Sequence, residues 1–220
     1  MTTARPVQPV RPEGTAPAQV WYAAYGSNMH MNRLMYYLGG GQPPGAARSY
    51  PGCRDSRPPA LSVPVELRGA LYFATESPVW TGGRAFYDPH AMGRLYARAH
   101  LVSAEQFSDI AAQEMHREPG TDLDLTEVLR DGVATLGRGP YETLVCPGSL
   151  DGIPLLTFTA PWTVGEAEWT SPSAAYLRHL ARGLLEAGAW DVPAICTYLQ
   201  ACPGAAGHWN AHQIADLLAQ

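Results

Sequence analysis

A β-prone run that stops at Gly26-Ser27-Asn28 and passes into a helical pattern most constrains how this chain folds. Residues 20–25 are typical of a strand, and His30 to Leu38 are typical of a short helix that the glycines at 39–41 end. The first glycine lets the backbone turn tightly, and the serine or the asparagine is expected to cap the helix. Free N–H groups would then converge on an anion pocket for a carboxylate or an oxyanion. An ordinary capped turn is the alternative interpretation.

Length and composition predict one domain with tails. The chain has 220 residues, of which 46% are hydrophobic, and no long polar linker divides its centre. Residues 1–19 hold four prolines and no apolar periodicity, so we expect a disordered arm followed by a single domain over 20–220. The arm lacks the apolar core of a signal peptide, and no run is long enough to span a bilayer. We therefore expect a soluble, cytoplasmic protein without a membrane partner.

Charge and cysteine patterns exclude several classes of function. All 15 basic residues are arginines, they are scattered, and the formal net charge is −5, so a nucleic-acid partner is not expected. The four cysteines show neither metal-ligand nor Cys-x-x-Cys spacing and are interpreted as reduced. His208 and His212 lack the glutamate of a metalloprotease motif, and the other histidines are isolated. No Gly-x-Ser-x-Gly elbow is present. Neither a metal nor a catalytic serine is expected.

The order of the remaining elements predicts an α+β domain, because strand patterns come first and helical patterns last. The strand patterns cover residues 64–74, 84–87, 93–102, 141–147 and 153–159, the last two as a hairpin. Helices are expected from Ser171-Pro172 to about Ala187, over 192–201 and over 210–219.

One carboxylate occupies an unusual position on a predicted helix. Ser103 and Gln106 form a capping box, which predicts a helix from Ser103 to about Met115. Glu114 lies three, four and seven residues after the apolar positions of this helix, so it falls on the apolar stripe. Burial against apolar walls would raise its pKa and make it a proton acceptor and donor near neutral pH. Fraying of the last turn, or a pair with Arg117, is the alternative.

Several motifs resemble, in the same order, those of the γ-glutamylcyclotransferase family. The resemblance covers about residues 20 to 190 and rests on Ala24-Tyr25-Gly26-Ser27-Asn28-Met29 followed by Arg33, Trp80-Thr81-Gly82-Gly83, Gly93-Arg94-Leu95-Tyr96, Gln113-Glu114, Gly139-Pro140-Tyr141 and Pro172-Ser173-Ala174-Ala175-Tyr176.

The resemblance implies a small mixed β-barrel flanked by helices, to which a C-terminal helix over 203–220 would be an addition. It also implies an enzyme that needs no cofactor and cleaves a γ-glutamyl amide through attack of its own α-amine, releasing 5-oxoproline and an amine. Glu114 would be the catalytic residue. The substrate-binding residues would be Tyr25, Gly26, Ser27, Asn28, Met29, Tyr141 and Tyr176, although Tyr25 is better explained by packing.

The chain departs from the family in one region, because residues 115–139 form an insert where the family has only a few residues. The insert is expected to border the site as a lid or a wall, and its acidic residues favour a cationic leaving amine. A solvated surface helix is the alternative. A non-catalytic member of the same fold that binds a ligand or a protein is the rival function, and a homodimer is compatible with either.

Overall fold

The computed structural model describes residues 2–9, 17–43 and 49–219, and they form an α+β fold. The strands are β1 (Arg5–Pro6), β2 (Gln19–Ala24), β3 (Leu61–Arg68), β4 (Ala70–Glu76), β5 (Gly83–Asp88), β6 (Arg94–Ser103), β7 (Val133–Thr135), β8 (Thr143–Leu150) and β9 (Ile153–Thr159). The helices are α1 (Met31–Gly39), α2 (Ala104–Glu114), α3 (Thr126–Asp131), α4 (Ala174–Ala187), α5 (Val192–Ala201) and α6 (Ala211–Ala219). The predicted class is confirmed.

A mixed sheet with the order β1-β3-β6-β2-β9-β8-β7 forms the centre of the fold. Strand β2 lies in its middle, antiparallel to β6 and parallel to β9. Five consecutive residues of β2, from Val20 to Ala24, are buried, because the strand is covered on both faces. The end of β2 therefore delivers the following turn into the interior of the protein rather than to its surface.

The hairpin β4–β5 forms a separate two-stranded sheet that a threonine joins to β9. The Oγ1 atom of Thr159 accepts a hydrogen bond from the Tyr87 N–H at 3.0 Å and donates one to the Tyr87 carbonyl at 2.7 Å. One side chain thus satisfies both backbone groups of a residue that is 1% exposed. This contact brings the hairpin against the main sheet.

The described part of the N-terminal arm pairs with the sheet, whereas the sequence predicted a disordered arm over 1–19. Strand β1 pairs in parallel with β3, and Gln8 forms a bridge to Ser149 of β8. Arg5 also forms an ion pair with Asp151 at 2.6 Å. Pairing with the sheet supplies the backbone hydrogen bonds that a proline-rich segment lacks by itself, and sequence periodicity does not report such pairing. Residues 10–16 lie outside the described residues.

Most predicted elements are confirmed, with two corrections. The predicted strand 64–74 is two strands, since Gly69 has a φ of 118° and separates β3 from β4. The cap of α4 is Ser173 rather than Ser171: Ser173 Oγ accepts from the Tyr176 N–H, while the Ser171 carbonyl pairs with the Gly83 N–H at 2.8 Å. The capping box of α2 and its bounds are confirmed.

The C-terminal helices pack together and against the sheet. Helix α4 contacts the turn that follows β2, and α5 and α6 pack on α4. The predicted C-terminal helix 203–220 begins later, at Ala211. None of the helices in the described ranges has the length and hydropathy of a membrane span.

Thr159→Val tests the link between the hairpin and β9. The change keeps the shape of the side chain but leaves the buried N–H and carbonyl of Tyr87 without this partner, so we expect the free energy of unfolding to fall by about 2–4 kcal/mol. Urea unfolding measures it. Thr135→Val, at an exposed position of β7, is the control and should change stability by less than about 0.5 kcal/mol. Equal effects of the two substitutions would contradict the assignment.

Candidate active site

The turn after β2 is a short 3₁₀ helix, and this corrects the expected cap. Ser27–Met29 form the turn, and the Met29 N–H donates to the Gly26 carbonyl at 3.1 Å. Helix α1 begins only at Met31, and its N-cap position is His30, which makes no side-chain capping bond. Ser27 and Asn28 therefore do not cap α1, because the 3₁₀ turn separates them from its first residue.

The turn still presents free N–H groups, as the anion-pocket hypothesis requires. The first N–H groups of any helical turn have no acceptor within the turn. Within the described part of the chain, the N–H groups of Ser27 and Asn28 donate to no protein acceptor. A Cβ atom added at Gly26 would lie 3.5 Å from the Tyr176 hydroxyl oxygen, an ordinary contact distance, so this hydroxyl lies beside the turn. The turn can accept an anionic group here.

The carbonyl groups of the same turn are each held by a side chain from another element. The Ser27 carbonyl lies 3.0 Å from His179 Nε2, on α4. The Asn28 carbonyl lies 3.2 Å from His100 Nε2, on β6. Arg98 Nη1 donates to the Met29 carbonyl at 3.0 Å. The turn is therefore fixed on the side that faces away from its free N–H groups.

Glu114 is the last residue of α2, and its carboxylate lies beside this turn. The Asn28 Nδ2 atom donates to Glu114 Oε1 at 3.1 Å and to the Tyr22 hydroxyl at 3.2 Å. The Tyr37 hydroxyl also hydrogen-bonds to the Glu114 side chain. Glu114 is half-buried, and Arg117, its proposed alternative partner, forms an ion pair with Glu142.

These groups line one cavity of about 320 Å³, including its open mouth. The lining residues are Tyr22, Tyr25, Gly26, Ser27, Asn28, Ala85, Glu114, Tyr141, Phe158 and Tyr176. Seven of the eight residues named from the sequence meet here; Met29 does not, since its side chain is buried toward Gly183 of α4. No residue of the insert 115–139 is in the lining, so the lining gives no support to a wall that selects a cationic amine.

The three predicted tyrosines differ in how their hydroxyl groups are used. Tyr25 donates to the Phe158 carbonyl at 2.7 Å, and Tyr141 donates to the Ala85 carbonyl at 3.0 Å. Tyr176 instead accepts a hydrogen bond from the Ala85 N–H at 3.4 Å. Its proton therefore remains available to a ligand, whereas the protons of Tyr25 and Tyr141 are already donated.

The cavity holds its tyrosines in the protonated form. Burial, and after it the negative charge of Glu114, raises the pKa of Tyr22 above its usual value. Burial is also the main cause that raises the pKa of Tyr176, with the hydrogen bond from Ala85 opposing it. These hydroxyl groups are neutral donors or acceptors at neutral pH rather than bases.

The two histidines behind the turn are neutral. Burial lowers the pKa of His100 to about 3, and the charge of Arg98 acts in the same direction, against the hydrogen bond to Asn28. Burial lowers the pKa of His179 to about 4, and its hydrogen bond to Ser27 opposes the shift. A neutral imidazole has one N–H, and in both residues the carbonyl of the turn requires that it be on Nε2.

Sequence reasoning missed Tyr22 and Tyr37, the two tyrosines that contact Asn28 and Glu114. Tyr22 lies in the predicted strand 20–25 before the turn, and the sequence assigns it no role of its own. Tyr37 is four residues after Arg33 on α1, so the two share a helix face, and Arg33 lies over the Tyr37 ring at 5.7 Å. This spacing is the signal that could have found Tyr37. The buried Arg33 also hydrogen-bonds to Tyr50.

The described residues contain no group of three or more His, Cys, Asp or Glu side chains placed to hold a metal ion. No family model matches the chain. It is 34% identical over 193 residues to Histone deacetylase 5 of Arabidopsis thaliana, which covers 79% of this chain and 29% of that protein. The chain thus spans less than a third of the curated relative it matches.

The chain is also similar to two solved structures. An uncharacterized protein from Homo sapiens matches with a TM-score of 0.50 and 17% identity, over 93% of this chain and 100% of that one. A γ-glutamyl cyclotransferase matches with a TM-score of 0.49 and 16% identity, over 91% of this chain and 98% of that one. At such identities the likeness concerns architecture alone.

His100→Gln tests the buried neutral histidine through the pH dependence of stability. Because the folded pKa lies below the unfolded value of about 6.5, the unfolded state binds the extra proton, and stability is lost as the pH falls from about 6.5 toward 3. His100 contributes at most about 1.4 kcal/mol per pH unit to this slope. Urea unfolding between pH 7 and pH 4 should give a shallower slope for the variant.

His212→Gln is the control for this experiment, since the side chain of His212 is 89% exposed. It should leave the slope unchanged. A slope for His100→Gln that equals that of the parent protein would mean that His100 is not buried in its neutral form.

Proposed function

We propose that this chain is a γ-glutamylcyclotransferase-like enzyme that works without a cofactor. Its substrate is a γ-glutamyl amide, and its products are 5-oxoproline and a free amine. The proposal rests on one observation: the Glu114 carboxylate, at 3.1 Å from Asn28, faces the same cavity as the Gly26-Ser27-Asn28 turn. An acid–base group and a set of anion-binding N–H groups therefore act on one ligand.

Glu114 would carry one proton from the attacking nitrogen to the leaving nitrogen. The substrate's α-amine, in its neutral form, attacks its own γ-carbonyl carbon, the new C–N bond forms, and the carboxylate accepts the proton that the nitrogen loses. The bond to the leaving nitrogen then breaks, and Glu114 returns the proton to that nitrogen. No water is consumed. Asn28 and Tyr37 hold the carboxylate in place by donating hydrogen bonds to it.

The turn would bind the negative charge of the ligand. The free N–H groups of Ser27 and Asn28 suit either the α-carboxylate of the glutamyl group or the oxyanion that forms at the γ-carbon. Since attack is intramolecular, the site has only to hold the glutamyl chain in a curled conformation, and well-oriented ring closures gain about 7–11 kcal/mol from proximity. This requirement fits a small cavity that the turn and Glu114 line together.

The comparisons support the fold of this proposal and leave its chemistry to experiment. This chain spans only 29% of the plant histone deacetylase that it resembles. A deacetylase activity is therefore not proposed for this chain. The rival proposal is a non-catalytic member of the fold that binds a carboxylate-bearing ligand or a protein. Glu114, held inside the cavity by two hydrogen-bond donors, favours the enzyme.

Glu114→Gln tests the proposed base. Mass spectrometry would follow 5-oxoproline release from a panel of γ-glutamyl amino acids, γ-glutamyl polyamines and γ-glutamylated aminoglycoside-type amines. We expect the parent protein to react with at least one class and the variant to lose at least about 100-fold in kcat, because the amide neither accepts nor returns the proton. The rates of the parent rank the leaving amines.

Glu118→Gln is the matched control, since Glu118 is an exposed carboxylate four residues later. It should retain the activity of the parent. If Glu114→Gln stays folded and keeps its rate, Glu114 is not the base. If no substrate of the panel reacts while thermal shifts still report binding, the ligand-binding rival is correct.

Tyr176→Phe and Tyr141→Phe separate a ligand-binding hydroxyl from a structural one. The proton of Tyr176 is free to be donated to the substrate, whereas that of Tyr141 is donated to Ala85. We expect Tyr176→Phe to lower kcat/KM by about 10-fold or more, and Tyr141→Phe to lower it less and to cost about 1 kcal/mol of stability. The reverse order of the two effects on kcat/KM would refute this assignment.

A further inference from the structure

The orientation of the free N–H groups depends on residues outside the cavity. A peptide unit is planar and trans, so its C=O and N–H point in opposite directions. The Ser27 carbonyl, which accepts from His179 at 3.0 Å and from the His30 N–H at 3.3 Å, belongs to the same unit as the Asn28 N–H. The Gly26 carbonyl, which accepts from the Met29 N–H, belongs to the same unit as the Ser27 N–H.

His100 completes this chain of peptide units. It holds the Asn28 carbonyl at 3.2 Å, and that carbonyl shares its peptide unit with the Met29 N–H. The Met29 N–H in turn binds the Gly26 carbonyl and so sets the Ser27 N–H. One histidine therefore acts on each of the two free N–H groups: His179 on that of Asn28, and His100 on that of Ser27.

We propose that His179 and His100 are positioning residues, which aim the N–H groups of Asn28 and Ser27 at the anionic part of the substrate. This inference rests on the proposed function for its substrate. Neither histidine is in the cavity lining, so neither contacts the ligand. Both act by donating an Nε2–H to a carbonyl on the opposite side of the turn.

Ser62 supports the tautomer that His100 needs. The Ser62 hydroxyl lies 2.8 Å from His100 Nδ1, and because the Asn28 carbonyl can only accept and so requires the ring proton on Nε2, the hydroxyl donates to Nδ1. The opposite tautomer would place a lone pair of Nε2 against the Asn28 carbonyl and lose the hydrogen bond. A hydroxyl on β3 thus contributes to the geometry of the turn through the imidazole of β6.

Helix α4 meets the turn at three successive positions of one face. The Tyr176 hydroxyl lies close to Gly26, His179 binds the Ser27 carbonyl, and Gly183 approaches Met29 so closely that an added Cβ would lie 2.9 Å from the Met29 Cβ. Spacings of three and four residues place these side chains on the same side of the helix. The ring of His179 is fixed further by Trp80, at a centroid distance of 4.9 Å.

The first test compares His179→Ala with His179→Gln. The amide nitrogen of glutamine can reach the position of Nε2, so glutamine keeps a donor that alanine lacks. We expect His179→Ala to lower kcat/KM for 5-oxoproline release by about 10- to 100-fold, since a displacement near 1 Å can cost that much, and His179→Gln to recover most of it. A loss mainly in KM assigns the turn to the α-carboxylate, and a loss mainly in kcat assigns it to the oxyanion.

His212→Ala, at an exposed position, is the control for removing a histidine and should retain the activity of the parent. The thermal unfolding midpoint of every variant is recorded, and rates are expressed per folded molecule. A purely structural His179 would lower the midpoint in both variants and leave kcat/KM per folded molecule unchanged. That outcome overturns the inference.

A double-mutant cycle tests the second histidine. Ser62→Ala should lower kcat/KM. The glutamine of His100→Gln keeps an N–H donor but has no alternative tautomer, so in that background the substitution of Ser62 should no longer change kcat/KM. The double variant should therefore be no worse than His100→Gln alone. Additive losses in the cycle would show that Ser62 does not act through His100 and would overturn that part of the inference.

Binding of 5-oxoproline, measured by calorimetry, separates this inference from the proposed function. If the parent protein releases no 5-oxoproline but binds it, the proposed function fails. Loss of binding in His179→Ala and its return in His179→Gln would then support the positioning role alone. Equal affinities in all three proteins overturn the positioning role. A parent protein that neither releases nor binds 5-oxoproline overturns both.

Discussion

The peptide units between Gly26 and Met29 are held by hydrogen bonds from side chains of two other elements. Backbone N–H groups bind an anion only if they stay aimed at it, and a four-residue turn has too few internal hydrogen bonds to hold itself. Donor side chains from β6 and α4 supply what is missing. The central position of β2 places the turn within reach of both elements. The fold around the cavity serves to hold this short piece of backbone.

Local signals allowed much of the fold and part of the site to be predicted. The capping box at Ser103 fixed the start and phase of α2, and phase alone brought Glu114 to the cavity side of the helix. The hairpin β8–β9 followed from two apolar runs around a turn predicted over 148–152, although β8 continues to Leu150 and leaves only Asp151-Gly152 as the turn. These features depend on residues close together in the chain, so a single sequence reports them.

The parts that escaped prediction depend on distant contacts. His179 is 152 residues from the carbonyl that it binds, and His100 is 72 residues from its own. A lone histidine in a helix or strand pattern gives no sign of such a partner. The cap of α4 also escaped, because the pairing of Ser171 with Gly83 extends the chain before Ser173. In each case a tertiary hydrogen bond overrode or supplemented the local pattern.

The N-terminal segment has a role that its sequence conceals. Strand β1 covers part of β3, which would otherwise be the edge strand on that side of the sheet, and Gln8 pairs with Ser149 of β8 near the other side. An uncovered edge presents unpaired N–H and C=O groups that can recruit a strand from another molecule. Strand β1 therefore protects the edge of β3 from pairing with a strand of another molecule. Removal of these residues would leave the cavity residues in place but expose the unpaired edge of β3. Self-association is the defect that this exposure would cause first.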